Sequence, residues 1–129
     1  MPRRVIQPKT LSDPRPRYSQ GILNSGGKLL FVAGQTASDK VGNVVGKGDI
    51  EAQTRQVFDN LRAVLKTAGG TLDNLVMTTT YITGRKYREG YNRVRSTQYK
   101  KIPPTNTLVF VSGLASPDYL IEIAGIAVL

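Results

Sequence analysis

Apolar residues recur along this chain with two different periods, and the switches between them mark its elements. From Asp49 to Ala68 they fall at Ile50, Val57, Phe58, Leu61, Val64 and Leu65. Spacings of three, four and seven are the stripe of a helix that buries one face. Asp49 is placed to cap its start and Gly69-Gly70 to end it. A second helix is predicted from Arg85 to Lys101, with Tyr87, Tyr91, Val94 and Tyr99 as its partial stripe and Pro103-Pro104 as its stop. The other segments read as strands. Tyr18 to Leu23, the turn Asn24-Ser25-Gly26-Gly27 and Lys28 to Gly34 predict a hairpin. Leu75 to Thr83 is rich in β-branched residues, and Asn106 to Ser112 and Tyr119 to Val128 form two closing strands joined by a turn. Asp39 to Gly48 is a polar loop, and residues 1–16, with four of the seven prolines, form an extended arm.

The predicted order is ββαβαββ, an α+β fold with one sheet and both helices on one of its faces. Its 129 residues suffice for a single domain spanning 1–129. The last strand is nearly continuous in apolar residues, which predicts that both of its faces are covered. Two helices cover only one face, so a symmetric partner is expected on the other.

Composition narrows the chemistry. The chain has no cysteine and no histidine, which excludes disulfides, thiolate nucleophiles, zinc sites of the usual type, Ser-His-Asp triads and histidine-based ribonuclease chemistry. No metal site and no cofactor are expected. No apolar run is long enough for a membrane span, and no apolar segment follows Met1-Pro2-Arg3-Arg4, so a cytoplasmic protein without membrane contact is expected. The net charge of +9 is uneven: five of the 18 basic residues lie before position 18 and seven lie between Arg85 and Lys101. Such clusters read as solvated faces, as a phosphate-backbone surface, or as a funnel for small anions.

One carboxylate stands out. Glu122 lies between Tyr119-Leu120-Ile121 and Ile123-Ala124-Gly125-Ile126, where an acid is costly unless paired, hydrogen-bonded or kept for chemistry. With its surroundings it forms a set of short motifs. These are Tyr18-Ser19-Gln20-Gly21, Val32-Ala33-Gly34-Gln35, Ile50 to Gln56 with Asp59-Asn60-Leu61, Tyr91-Asn92, and Pro104-Thr105-Asn106 leading to Ile121-Glu122-Ile123. In this order the chain resembles the Rid/YjgF family of reactive-intermediate (enamine/imine) deaminases, also labelled endoribonuclease L-PSP. The resemblance covers nearly the whole chain. It implies a chorismate-mutase-like/YjgF-like fold, a homotrimer whose sheets form a barrel, and sites in the clefts between subunits.

The same resemblance implies roles for single residues. Glu122 would position or activate the attacking water, and Tyr18 would line the cleft. Backbone groups near Ala33-Gly34 and Thr107-Leu108 would bind substrate, and Asn92 falls among the cleft positions. No metal or organic cofactor is implied. The family's arginine, which clamps the substrate carboxylate, is replaced here by Asn106. An amide offers neutral donors where guanidinium offers a permanent charge and a planar fork. Losing such a charge-assisted pair costs about 1.5–3 kcal/mol of binding. Either the substrate lacks that carboxylate, or Arg17 beside Tyr18 or Arg93 beside Asn92 replaces the cation, or the deamination has been lost.

The expected function is cofactor-independent hydrolysis of a small imine or enamine metabolite in an intersubunit cleft, with substrate choice altered by the loss of the clamping arginine and a small anionic or imine/enamine molecule as the expected partner. Two alternatives stand beside it: a non-catalytic ligand-binding or chaperone-like trimer, and an RNA-interacting protein. The structural readings are plainer. Glu122 would be a satisfied buried acid, Asn106 the lip of an emptied pocket, Tyr18 a core residue, and Thr78-Thr79-Thr80 a half-buried strand face without chemistry.

Overall fold

The strongest periodic segment forms the main helix, α1 (Ile50–Thr67), in the computed structural model, which describes residues 3–129. Met1 and Pro2 of the predicted arm lie outside the described residues. Asp49 caps α1 by accepting a bond from the Ala52 N–H at 3.1 Å, as its side chain and position predict. Gly69 ends it with φ +91, a left-handed turn that a side chain would strain.

The strands are β1 (Arg3–Ile6), β2 (Gly21–Asn24), β3 (Leu29–Thr36), β4 (Leu75–Ile82), β5 (Thr105–Phe110) and β6 (Ile121–Val128). A short helix, α2 (Arg88–Arg95), stands between β4 and β5. The α+β composition and the two helices agree with the expected fold, but the strand pairing differs from it. There are two sheets: β3-β6-β4-β5, and a separate β1-β2 ribbon. The predicted hairpin is not formed, because β2 pairs with β1 and β3 pairs with β6. Its turn does form, with Gly26 and Gly27 at φ 72 and 99, yet it leads the chain to different partners. The arm accordingly contributes a strand. Arg3 holds it down, its guanidinium donating to Asn24 Oδ1 and to the carbonyls of Asp73 and Asn74. The closing strands are likewise not neighbours. β4 lies between them, parallel to β5 and antiparallel to β6.

The second helix is shorter than predicted. Beyond Arg95 the hydroxyls of Ser96 and Thr97 donate to the carbonyls of Arg93 and Val94, and the backbone tightens to three-residue bonds at Thr97 and Gln98. Hydroxyl side chains that bond back in this way compete with the helix ladder.

One face of the four-stranded sheet carries the core. Val57, Phe58, Leu61 and Leu65 of α1 and Tyr91 and Val94 of α2 pack on Val32, Ile82, Ile121, Ile123 and Ala127. Burial pushes the hydroxyls of Tyr91 and Tyr99 above the ordinary tyrosine value of 10.0. Below pH 10 folded and unfolded chains both hold these protons, so stability does not change. Above it the unfolded chain releases them first, and stability falls as pH rises. Phenolate absorbance in an alkaline titration should show two of the six tyrosines ionising only as the chain unfolds. Their ionisation in the folded protein would contradict this.

The other sheet face is bare in a single copy. Phe31 is 70% exposed, Leu29 62% and Met77 47%. No helix among the described residues is long and apolar enough to cross a membrane.

Candidate functional site

Two backbone tethers build the first half of the site. The buried Ser19 donates through its N–H to the Pro104 carbonyl at 3.0 Å and through its hydroxyl to the Pro103 carbonyl at 2.6 Å. They draw Tyr18 and Arg17 to the start of β5, where Asn106 and Leu108 point the same way by strand alternation. The last turns of α2 close the other side with Asn92 and Arg95. The recess so formed has a volume of about 240 Å³.

Asn106 is held firmly. Its Oδ1 lies 2.9 Å from the hydroxyls of both Thr78 and Thr80, and Thr80 is 3.3 Å from the Tyr91 hydroxyl. The threonine run, read from sequence as a plain strand face, thus fixes the orientation of the amide. Thr78 is shared, since its hydroxyl also lies 2.9 Å from the Thr105 carbonyl and one proton serves one acceptor at a time.

Of the two arginines expected near this cleft, Arg17 lines it and Arg93 does not. The Arg93 guanidinium points outward to Glu51 at 3.2 Å and is largely exposed. The cation that α2 delivers is Arg95, which sequence reading missed. Its signal was present: Arg95 lies four residues beyond Tyr91, on the same helix face, whereas Arg93 is only two beyond. Arg95 is 5% exposed, stacked 4.7 Å over the Tyr91 ring, and donates through Nη2 to Asn92 Oδ1 at 2.6 Å. Its Nε has no hydrogen-bond partner among the described residues. Arg88, a further cation at the recess, was also not singled out from sequence.

The second half of the site is elsewhere. Glu122 lies opposite Thr36 and Tyr81, on the bare face of the sheet together with Thr107. The β3-β6 register slips between Val32 and Gln35, so Ala33 and Gly34 leave the ladder beside it. A Cβ at Gly34 would overlap the Glu122 carboxylate. Glycine is therefore what lets that side chain lie against β3. The half-buried carboxylate has no ion-pair or hydrogen-bond partner among the described residues. Within one copy, then, Tyr18, Asn92, Asn106, Leu108 and Arg17 face one side, while Ala33, Gly34, Thr107 and Glu122 belong to the other. A larger hollow of about 500 Å³, between Arg62, Lys66, Asp73 and Lys100, contains none of these residues.

This division of the motif residues over one α+β chain accompanies a clear kinship. The profile of the family described as endoribonuclease L-PSP matches residues 10–129. Two Rid family proteins of unknown function from Yersinia pestis are each 35% identical to the chain. YyfB superposes with a TM-score of 0.92 over 100% of both chains, and YyfA with 0.73 over 99% and 100%. A structure described as a putative endoribonuclease from Thermotoga maritima is 31% identical over 98% of this chain and 97% of its own, with a TM-score of 0.73. The chain belongs to the Rid/YjgF, or endoribonuclease L-PSP, family.

Proposed function

We propose that three copies of this chain assemble through their bare sheet faces. In the clefts between them the protein hydrolyses a C=N or enamine bond of a small anionic metabolite. The observation that carries this reading is Glu122: a carboxylate without a partner, seated against a glycine on a face of exposed Phe31, Leu29 and Met77. Exposed apolar area of that kind marks an interaction surface. A second copy covering it would bring the Glu122 half of one site to the recess of its neighbour, which no single chain does.

The chemistry needs little more. Glu122 accepts a proton from water as its oxygen bonds to the imine carbon, and the C=N π pair goes to nitrogen. Return of that proton to nitrogen gives a carbinolamine; transfer of its hydroxyl proton to the same nitrogen, through the Glu122 carboxylate, then expels ammonia and leaves the carbonyl, so one imine and one water give one ketone and one ammonia. Tyr18 shapes the cleft, Asn106 orients the substrate, backbone groups at Ala33-Gly34 and Thr107-Leu108 bind it, and the cations of the recess hold its acid group. The position of Tyr91 and Tyr99 supports this reading over an RNA surface. Tyr91 is buried and Tyr99 packs edge-on against Phe58, so neither offers a stacking platform.

The test supplies imino acids generated in situ and follows ammonia, with light scattering on the same sample. Expected are a mass three times the 14.1 kDa chain and ammonia release above the spontaneous rate. A trimer that leaves the spontaneous rate unchanged for both mono- and dicarboxylic imines would remove the catalytic reading and favour a non-catalytic binding protein.

A further inference from the structure

Arg95 is the anomaly of this molecule. A guanidinium 5% exposed is normally met by a carboxylate, yet among the described residues no acid lies within ion-pair distance of it. One of its nitrogens bonds only a neutral amide and another, Nε, bonds nothing among the described residues. A buried charge left uncompensated is strongly unfavourable, and the usual remedies are a partner or a ligand of opposite sign. Its stacking on Tyr91 fixes the plane of the fork before any ligand arrives. The same recess has two further guanidinium groups, Arg17 and Arg88, both solvent-exposed and neither in an ion pair among the described residues. No acid lines it.

We propose that this recess is a dianion site. Arg95 at its floor clamps one oxyanion group, Arg17 and Arg88 at its rim take a second negative charge, and the ligand is therefore a small doubly charged acid. This names the substrate class of the proposed activity and rests on that reading only for the reaction, not for binding. Space agrees with it. The recess, about 240 Å³ in one copy, admits a small acid. A short dicarboxylate and a phosphate group on a short stem offer the same oxyanion chemistry. In this proposal the cation comes from α2, while Asn106 on β5 contributes a neutral amide.

The experiment titrates the full chain with succinate, inorganic phosphate and acetate, reading heat and tyrosine fluorescence without any turnover. Succinate or phosphate should bind at least about tenfold more tightly than acetate, and whichever is tighter distinguishes a dicarboxylate from a phosphorylated ligand. Arg95→Met should weaken that dianion by about 10- to 100-fold, and Arg95→Lys should restore it only in part, because ammonium lacks the planar fork. Arg93→Met, on the outer face of α2, should change nothing. Without ligand, Arg95→Met should keep or raise the melting temperature, because it removes an unmatched buried charge; a purely structural arginine would lower it. The proposal is overturned if acetate binds as well as the dianions, or if Arg95→Met binds them like the wild type. It is overturned too if the wild type binds none of them and Arg95→Met breaks the oligomer, which would show that a neighbouring copy supplies the counter-charge. Dianion binding that depends on Arg95, in a protein that releases no ammonia, would sustain this inference while removing the hydrolase.

Discussion

Glu122→Gln should lower kcat for imine hydrolysis by about 10²- to 10⁴-fold while leaving substrate binding and fold intact. That is the usual contribution of a positioned general base. The amide has nearly the shape of the acid and fits the same space against Gly34, but it cannot take a proton from water at neutral pH. A loss in kcat with an unchanged Kd for the dianion would place the effect on the chemical step. Gly34→Val should act at the same point by another route, since a side chain there overlaps the carboxylate and must displace it. If Glu122→Gln turns over as fast as the wild type, the water is activated elsewhere and Glu122 is a structural acid.

Phe58→Ala should destabilise the fold by about 3–5 kcal/mol, the range for removing a fully enclosed aromatic side chain. Phe58 is 0% exposed and meets the Tyr99 ring edge-on with centroids 5.8 Å apart, so truncation removes packing on several sides at once. For a chain of this length that corresponds to a drop of roughly 10–25 °C in Tm. Urea unfolding should show a lower midpoint with an unchanged slope. A loss below about 1 kcal/mol would mean that the core closes over the gap, and that α1 is held by contacts other than this ring.

Part of the candidate site is legible in the sequence, because its motifs are short and local. Glu122 stands out as an acid in an apolar strand, whereas Tyr18, Gly34 and Asn106 are marked only by the family resemblance of their segments. Arg93 is the sequence candidate only through its adjacency to Asn92, and adjacency along a helix does not place two side chains on one face. The four-residue step from Tyr91 does, and it carries Arg95 inward. Thr78 and Thr80 were read as a plain strand face. Their hydroxyls serve Asn106 only because β5 lies parallel to β4 at that register, a pairing across 28 residues of sequence in the case of Thr78.

What the sequence determined by itself is what near neighbours decide. The α1 stripe, the Asp49 cap and the Gly69 exit are interactions over three to seven residues, and they formed where the pattern placed them. The extended segments also follow from local preference. Their partners do not, because a strand's hydrogen-bonding edges accept any extended neighbour that covers the same apolar face. Tertiary structure therefore chose β1 for β2, β6 for β3, and β4 as the strand between the two closing ones. By the same choice it set Asn106 and Glu122 on opposite faces of one sheet. Alternation along each strand fixes which residues share a side, but only the assembled order of strands says what that side meets.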